Sequence, residues 1–149
     1  MPAYVLTKVL LCYIEKKNFN ILYNGGEILE FIQDYIMRLI HEMVRLILKI
    51  LFNINDKQCI QKIEENQEEA EKYNTLIFLL NQGNIDEAEN LLYDSCDYNN
   101  KNDLLIGIQF YNYLNQFDDD YLENHNFSRQ EVKEGLETLI INYGYKDLI

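Results

Sequence analysis

The chain has 149 residues, 48% hydrophobic and 26% charged, which is the balance of a globular domain and excludes a disordered tail. Its formal net charge of -12 repels phosphate and anionic lipid, which argues against nucleic acid and against a membrane as direct partners. The acid is concentrated: residues 1–54 hold six basic and five acidic residues, residues 55–149 seven and twenty.

Residues 1–28 fit the rest poorly. Val5 to Ile14 is apolar, but Met1 to Tyr4 lacks the positive start of a secretory signal. The run Gly25-Gly26-Glu27 can be encoded by purines resembling a ribosome-binding site, and Leu29 by an alternative start codon. The expectation is therefore that residues 1–28 are an N-terminal extension from a mis-assigned start, loosely packed, and that residues 29–149 form a single helical domain.

From Glu30 to Asn53 the apolar residues Ile32, Ile36, Leu39, Ile40, Met43, Leu46, Ile47, Ile50 and Leu51 recur at steps of three and four, the mark of one helical face. Asp34, Arg38, Glu42, Arg45 and Lys49 fall opposite. Arg38, His41, Glu42, Arg45 and Lys49 are too dense for a spanning helix. The wide stripe needs a cover, either the rest of the chain or a second copy in a homodimer.

Asn55 or Asp56 caps a helix running to about Gln82, polar in its first half and apolar in its second, with a break possible at Asn66. Gly83 ends it, and Asn84 starts the next, with Asp86 and Glu87 in the first turn where the helix dipole favours acid. Ala88 permits close approach in the resulting hairpin. The segment Leu104 to Phe117 is apolar on most of its circumference, so it belongs in the centre, with Gly107 against another helix. Asp118 caps a short helix through Leu122. Ser128 and Glu131 form a capping box, with Phe127 stapled to Val132, for a last helix ended by Gly144. No stretch alternates, so the expected fold is all-α, a compact bundle of about five to six helices.

Tyr73 to Ser95 resembles one tetratricopeptide unit, with Gly83, Ala88, Leu92 and Ser95 at its turn and helix-contact positions, although its tryptophan-type and closing-proline positions are unmatched. One hairpin is no solenoid, which needs about three repeats. Over Phe31 to Tyr145, "FIQDYIMRLI", "GNIDEAENLL" and "FYNYLNQFDDDYLENHNFSRQEVKEGL" are similar to an uncharacterised family, a domain of unknown function of small helical proteins from low-GC Gram-positive bacteria. That resemblance implies a compact helical protein and lends no catalytic residues.

Chemistry is sparse. Cys12, Cys59 and Cys96 are odd in number and far apart, with no CxxC pair, which indicates reduced thiols in a cytoplasm and no zinc site. Asp118, Asp119, Asp120 and Glu123 lack the alternation and central glycine of a calcium loop and read as acid at a helix start. His41 and His125 have no nucleophile at motif spacing. Gly25-Gly26 lacks the lysine-serine and third glycine of a phosphate loop. Tyr111, Tyr113, Phe117 and Tyr121 form an aromatic group that either packs the core or anchors a partner. The expectation is a non-enzymatic, cofactor-free module that binds a protein or peptide. The alternatives are an enzyme with a site assembled from distant residues, distinguished by convergent polar groups in one concavity, and a peripheral membrane protein using residues 30–53.

Overall fold

The computed structural model describes residues 25–149, and those residues are helical with no strand. The expected looseness of residues 1–28 falls, but for its last four residues, outside the described residues. The chain divides into two compact units, residues 1–36 and 37–149. Of the first, the described part is the opening of helix α1, Gly25–Ile47, which includes the glycine pair that the sequence placed ahead of a helix starting near Glu30.

In the second unit, α1 gives way to a π-helical turn at Leu48–Phe52, where a regular helix to Asn53 was expected. The buried positions of α1 and this turn are Ile36, Ile40, Val44, Ile47 and Leu48. The expected face is thus corrected: Val44 and Leu48 point inward, while Leu46 and Ile50 are 46% and 53% exposed. The buried residues follow one another at regular helical steps of four, four, three and one, so the inward stripe runs through Val44 and passes beside Leu46. Asn53, at φ 55°, closes the turn.

Helix α2 is Asp56–Glu64, opened by a reciprocal capping box between Asn55 and Gln58. Helix α3, Gln67–Asn81, starts afresh, because Asn66 takes an extended backbone and its side chain accepts from the Glu69 N–H. The segment from Asn55 to Gln82 is therefore two helices. With that break the described residues hold seven α-helices, above the five to six expected.

Helix α4, Ile85–Ser95, follows a three-residue turn and packs on α3. The Asn84 and Gly83 N–H groups donate to the Leu79 and Leu80 carbonyls, and Gly83 has φ +81°. This is the paired arrangement that satisfies a helix end when the residue after it turns left-handed. Asn84 begins α4, but its side chain makes no capping hydrogen bond.

Helix α5, Lys101–Asn115, is central, as its apolar circumference implied: Leu104, Ile106, Ile108, Phe110, Tyr111 and Leu114 are fully buried. It packs on α2, on α3 and on α7, Arg129–Asn142. A Cβ at Gly107 would stand 2.5 Å from a Leu139 methyl of α7, and one at Gly135 of α7 would stand 2.4 Å from the Tyr111 ring, so both glycines set the α5–α7 separation. Between them, α6, Asp119–Asn124, is capped by Asp118, and α7 opens on the Ser128–Glu131 capping box, with Phe127 and Val132 both buried as a staple requires. A 3-10 turn, Lys146–Leu148, ends the described chain.

Three cations work inside this bundle. Arg129, 3% exposed, donates to the Asn115 and Phe117 carbonyls and to Asp119, tying the end of α5 to α6 and α7. Lys72 of α3 bridges the Ser95 carbonyl and Asp103, whose other oxygen accepts from the Asp97 N–H. Lys133, buried, pairs with Glu137 one turn on. Charges at these depths persist only when paired and hydrogen-bonded.

Candidate functional site

The aromatic residues offered as partner anchors do not form one surface. Tyr111 is fully buried, and its hydroxyl donates to Glu89 at 2.6 Å while lying 3.1 Å from the Tyr93 hydroxyl. Burial pushes its phenol far above the ordinary range. Tyr111 is a core residue, turned inward from the central helix.

Tyr113, Phe117 and Tyr121 do come together, continued by His125. The Tyr113 and Phe117 rings meet edge-on, Phe117 and Tyr121 stack at 4.2 Å, and His125 tilts against Tyr121 at 4.3 Å. These rings are half-buried, and their polar atoms are hydrogen-bonded within the fold: Tyr113 donates to the exposed Asn81, Tyr121 to the Leu80 carbonyl, and His125 Nδ1 meets the Tyr121 carbonyl. The ladder clamps the α3–α4 turn, so internal packing accounts for each group in it.

The acids before α6 are likewise occupied. Asp118 accepts from the Tyr121 N–H, and Asp119 pairs with Arg129. Among the described residues, no cluster of three His, Cys, Asp or Glu side chains could hold a metal ion. Cys59 is buried against the Leu105 carbonyl, and burial pushes its thiol up to about 11. A thiol held protonated in this way is a poor nucleophile.

A different place gathers uncommitted polar groups. A cavity of about 640 Å³ is walled by Met37, Arg38, His41 and Glu42 of α1, by Asp56 at the start of α2, and by Asn112, Asn115 and Gln116 of α5. That volume is within the range of ligand and anchor pockets, about 300–1,000 Å³. Each wall has a local cause. Residues 37, 38, 41 and 42 share one side of α1 by helical spacing. Asp56 is held by the capping box that opens α2. Asn112 and Asn115 interrupt an otherwise apolar helix; Asn115 donates to the Met37 carbonyl at 3.1 Å, and Asn112 donates to Gln109.

The rim carries unused chemistry. Arg38 and His41 make no hydrogen bond or ion pair with the described chain. Glu42 meets only Arg45, in an exposed pair of little energetic weight. Asp56 Oδ1 is shut off from solvent without a donor. His41, Glu42 and Asp56 converge on this concavity but are not hydrogen-bonded to one another, so no base is oriented toward a nucleophile.

In the sequence Arg38, His41 and Glu42 fall on the polar side of a helix and Asp56 is a candidate cap, while Asn112, Asn115 and Gln116 match no motif. The available signal was the amide pair Asn112 and Asn115 on a helix that is apolar all round, because a polar residue there requires a partner or a cavity.

A second concavity, about 320 Å³, lies between α4 and α7 and is lined by Asp86, Glu89, Glu131 and Glu134 around Tyr93 and Phe127. Burial raises the Glu89 carboxyl, and the Tyr111 hydrogen bond opposes that rise.

A model of a family of unknown function (DUF6483) covers residues 30–144, a span that includes every wall of both concavities. No curated protein and no solved structure matches the chain.

Proposed function

The chain belongs to this family of unknown function, and from that premise we propose that it is a non-enzymatic module binding a protein or peptide partner in the α1–α2–α5 cavity. The observation that carries this reading is the cavity itself: largely carbon-walled, and lined by Arg38 and His41, which make no hydrogen bond or ion pair among the described residues, and by the exposed Gln116. An apolar pocket with a few polar groups at its mouth suits an inserted side chain, with the rim fixing its orientation.

An α3–α4 hairpin with a tetratricopeptide-like turn fits an interaction role without supplying the groove, since a single hairpin has no neighbouring repeat to stack on. No helix of the described residues is long and apolar enough to cross a membrane, and residence in the cytoplasm is part of the proposal. Exposed Leu46 and Ile50 keep a homodimer through residues 30–53 as a rival occupant of the same face.

Site-specific photo-crosslinking in the native cell tests the reading. A photoreactive residue at His41 should give a discrete protein adduct, and one at the exposed position Asn90 should not. Self-adducts alone would assign the face to a homodimer. No adduct at His41 would end the proposal.

A further inference from the structure

The side of α1 that walls the cavity continues past it. Arg38, Glu42, Arg45 and Lys49 follow one another at spacings of four, three and four, and Leu46 and Ile50 run alongside. All but Arg38 lie beyond or at the cavity's edge, and Arg45, Leu46, Lys49 and Ile50 are exposed. Ile47 and Leu48 are buried together, and Lys49 and Ile50, in the π turn, are exposed together. From α2, Lys62 reaches over the Phe52 ring at 5.9 Å, adding a cation to the strip's end.

The charge of this region is opposite to that of the rest. Residues 38–62 hold five basic residues and two acidic ones, Glu42 and Asp56, whereas residues 63–149 hold five basic and nineteen acidic. Three of the latter five, Lys72, Arg129 and Lys133, are spent on internal pairs. The Glu42–Arg45 pair engages the one acid on the strip. An apolar strip edged by cations, on a chain that is otherwise strongly acidic, selects its partner by sign.

We infer that the cavity and the strip together receive an acidic amphipathic segment of a partner protein, with one apolar side chain in the cavity, a second against Leu46 and Ile50, and carboxylates on Arg38, Arg45 and Lys49. This rests on the reading of the chain as a protein- or peptide-binding module. Screening makes the local sign decisive: at physiological salt charges farther than about 8 Å contribute little, so a segment on the strip feels the strip. A basic segment would meet unmatched cations here and find Asp86, Glu89, Glu131 and Glu134 across the fold instead. An anionic lipid surface is broader than one helix face and would bring the acidic flanks against its headgroups.

Random peptides displayed on phage and selected on the full chain supply the probe, and the double variant Arg45→Glu, Lys49→Glu supplies the control. Both residues are exposed, and circular dichroism checks that the variant remains folded. Enriched peptides should carry more Asp and Glu than Lys and Arg, with apolar residues at helical spacing. Their Kd should weaken by about ten-fold or more on the double variant. Basic peptides, no enrichment, or equal affinity for the variant would overturn the inference. So would sedimentation of the chain with equimolar phosphatidylcholine–phosphatidylglycerol vesicles, or a dimer abolished by the variant, each of which assigns the strip to another occupant. A partner crosslinked at His41 but indifferent to the double variant defeats this inference alone, whereas no partner at His41 defeats the binding module as well.

Discussion

The imidazole of His125 lies directly over the backbone of Gly83: a Cβ at that glycine would stand 2.2 Å from both Cδ2 and Nε2 of the ring. With φ at +81°, Gly83 also holds a conformation that side chains rarely adopt. Gly83→Ala should therefore cost about 1–3 kcal/mol in urea denaturation. Adding His125→Ala should recover the steric part and leave the backbone part. An unchanged midpoint for Gly83→Ala would show that the clamp on the α3–α4 turn is loose.

Leu114 is fully buried on the central helix, so Leu114→Ala leaves a void among packed neighbours. The expected loss is about 2–5 kcal/mol, the spread depending on how far the surroundings collapse. A thermal midpoint equal to that of the wild type would remove α5 from the centre of the account.

Arg129 satisfies two carbonyls and one carboxylate from within the bundle. Arg129→Met should cost about 3–5 kcal/mol, because Asp119 and both carbonyls lose their donor together. Arg129→Lys should recover little, since a point charge cannot reproduce the guanidinium fork. Full rescue by lysine in equilibrium unfolding would mean that charge alone is needed.

Burial raises the Glu89 carboxyl above its ordinary 4.5, so the folded protein holds this proton more tightly than the unfolded chain does. The resulting stabilisation is full below the unfolded pKa and is lost as pH rises through the folded one. Glu89→Gln keeps an acceptor for Tyr111 and removes the titration. The stability of the wild type relative to this variant should therefore fall as pH climbs from about 4 toward neutrality. A difference independent of pH over that range, measured by urea titration, would contradict the assignment.

The parts of this fold legible in the sequence are those set by local chemistry. Ser128 and Glu131 announce α7 because capping is decided within four residues, and Gly83 announces a turn because few residues tolerate its φ. The central place of α5 follows from apolar residues on every side. The misreadings come from longer range. Val44 and Leu48 escape notice because Met43, Leu46 and Ile50 beside them make α1 and its π turn apolar over a wide arc, and sequence does not say which part of that arc faces inward. Arg129 and Lys133 carry no sign of burial in sequence, since their partners come from tertiary packing and an ordinary helical neighbour. The cavity was illegible because its walls lie up to 79 residues apart, between Met37 and Gln116, and no spacing rule joins them.

The central claim is that partners bind on the α1–α2–α5 cavity and the strip beyond it. Amide chemical-shift mapping of the isotope-labelled chain, titrated with the partner crosslinked at His41 or with a selected peptide, tests it most directly. The account predicts that the largest shifts fall on Arg38, His41, Arg45, Lys49, Asn112 and Asn115. Shifts gathered instead on Asp86, Glu89, Glu131 and Glu134, or on Tyr113, Phe117 and Tyr121, would contradict it.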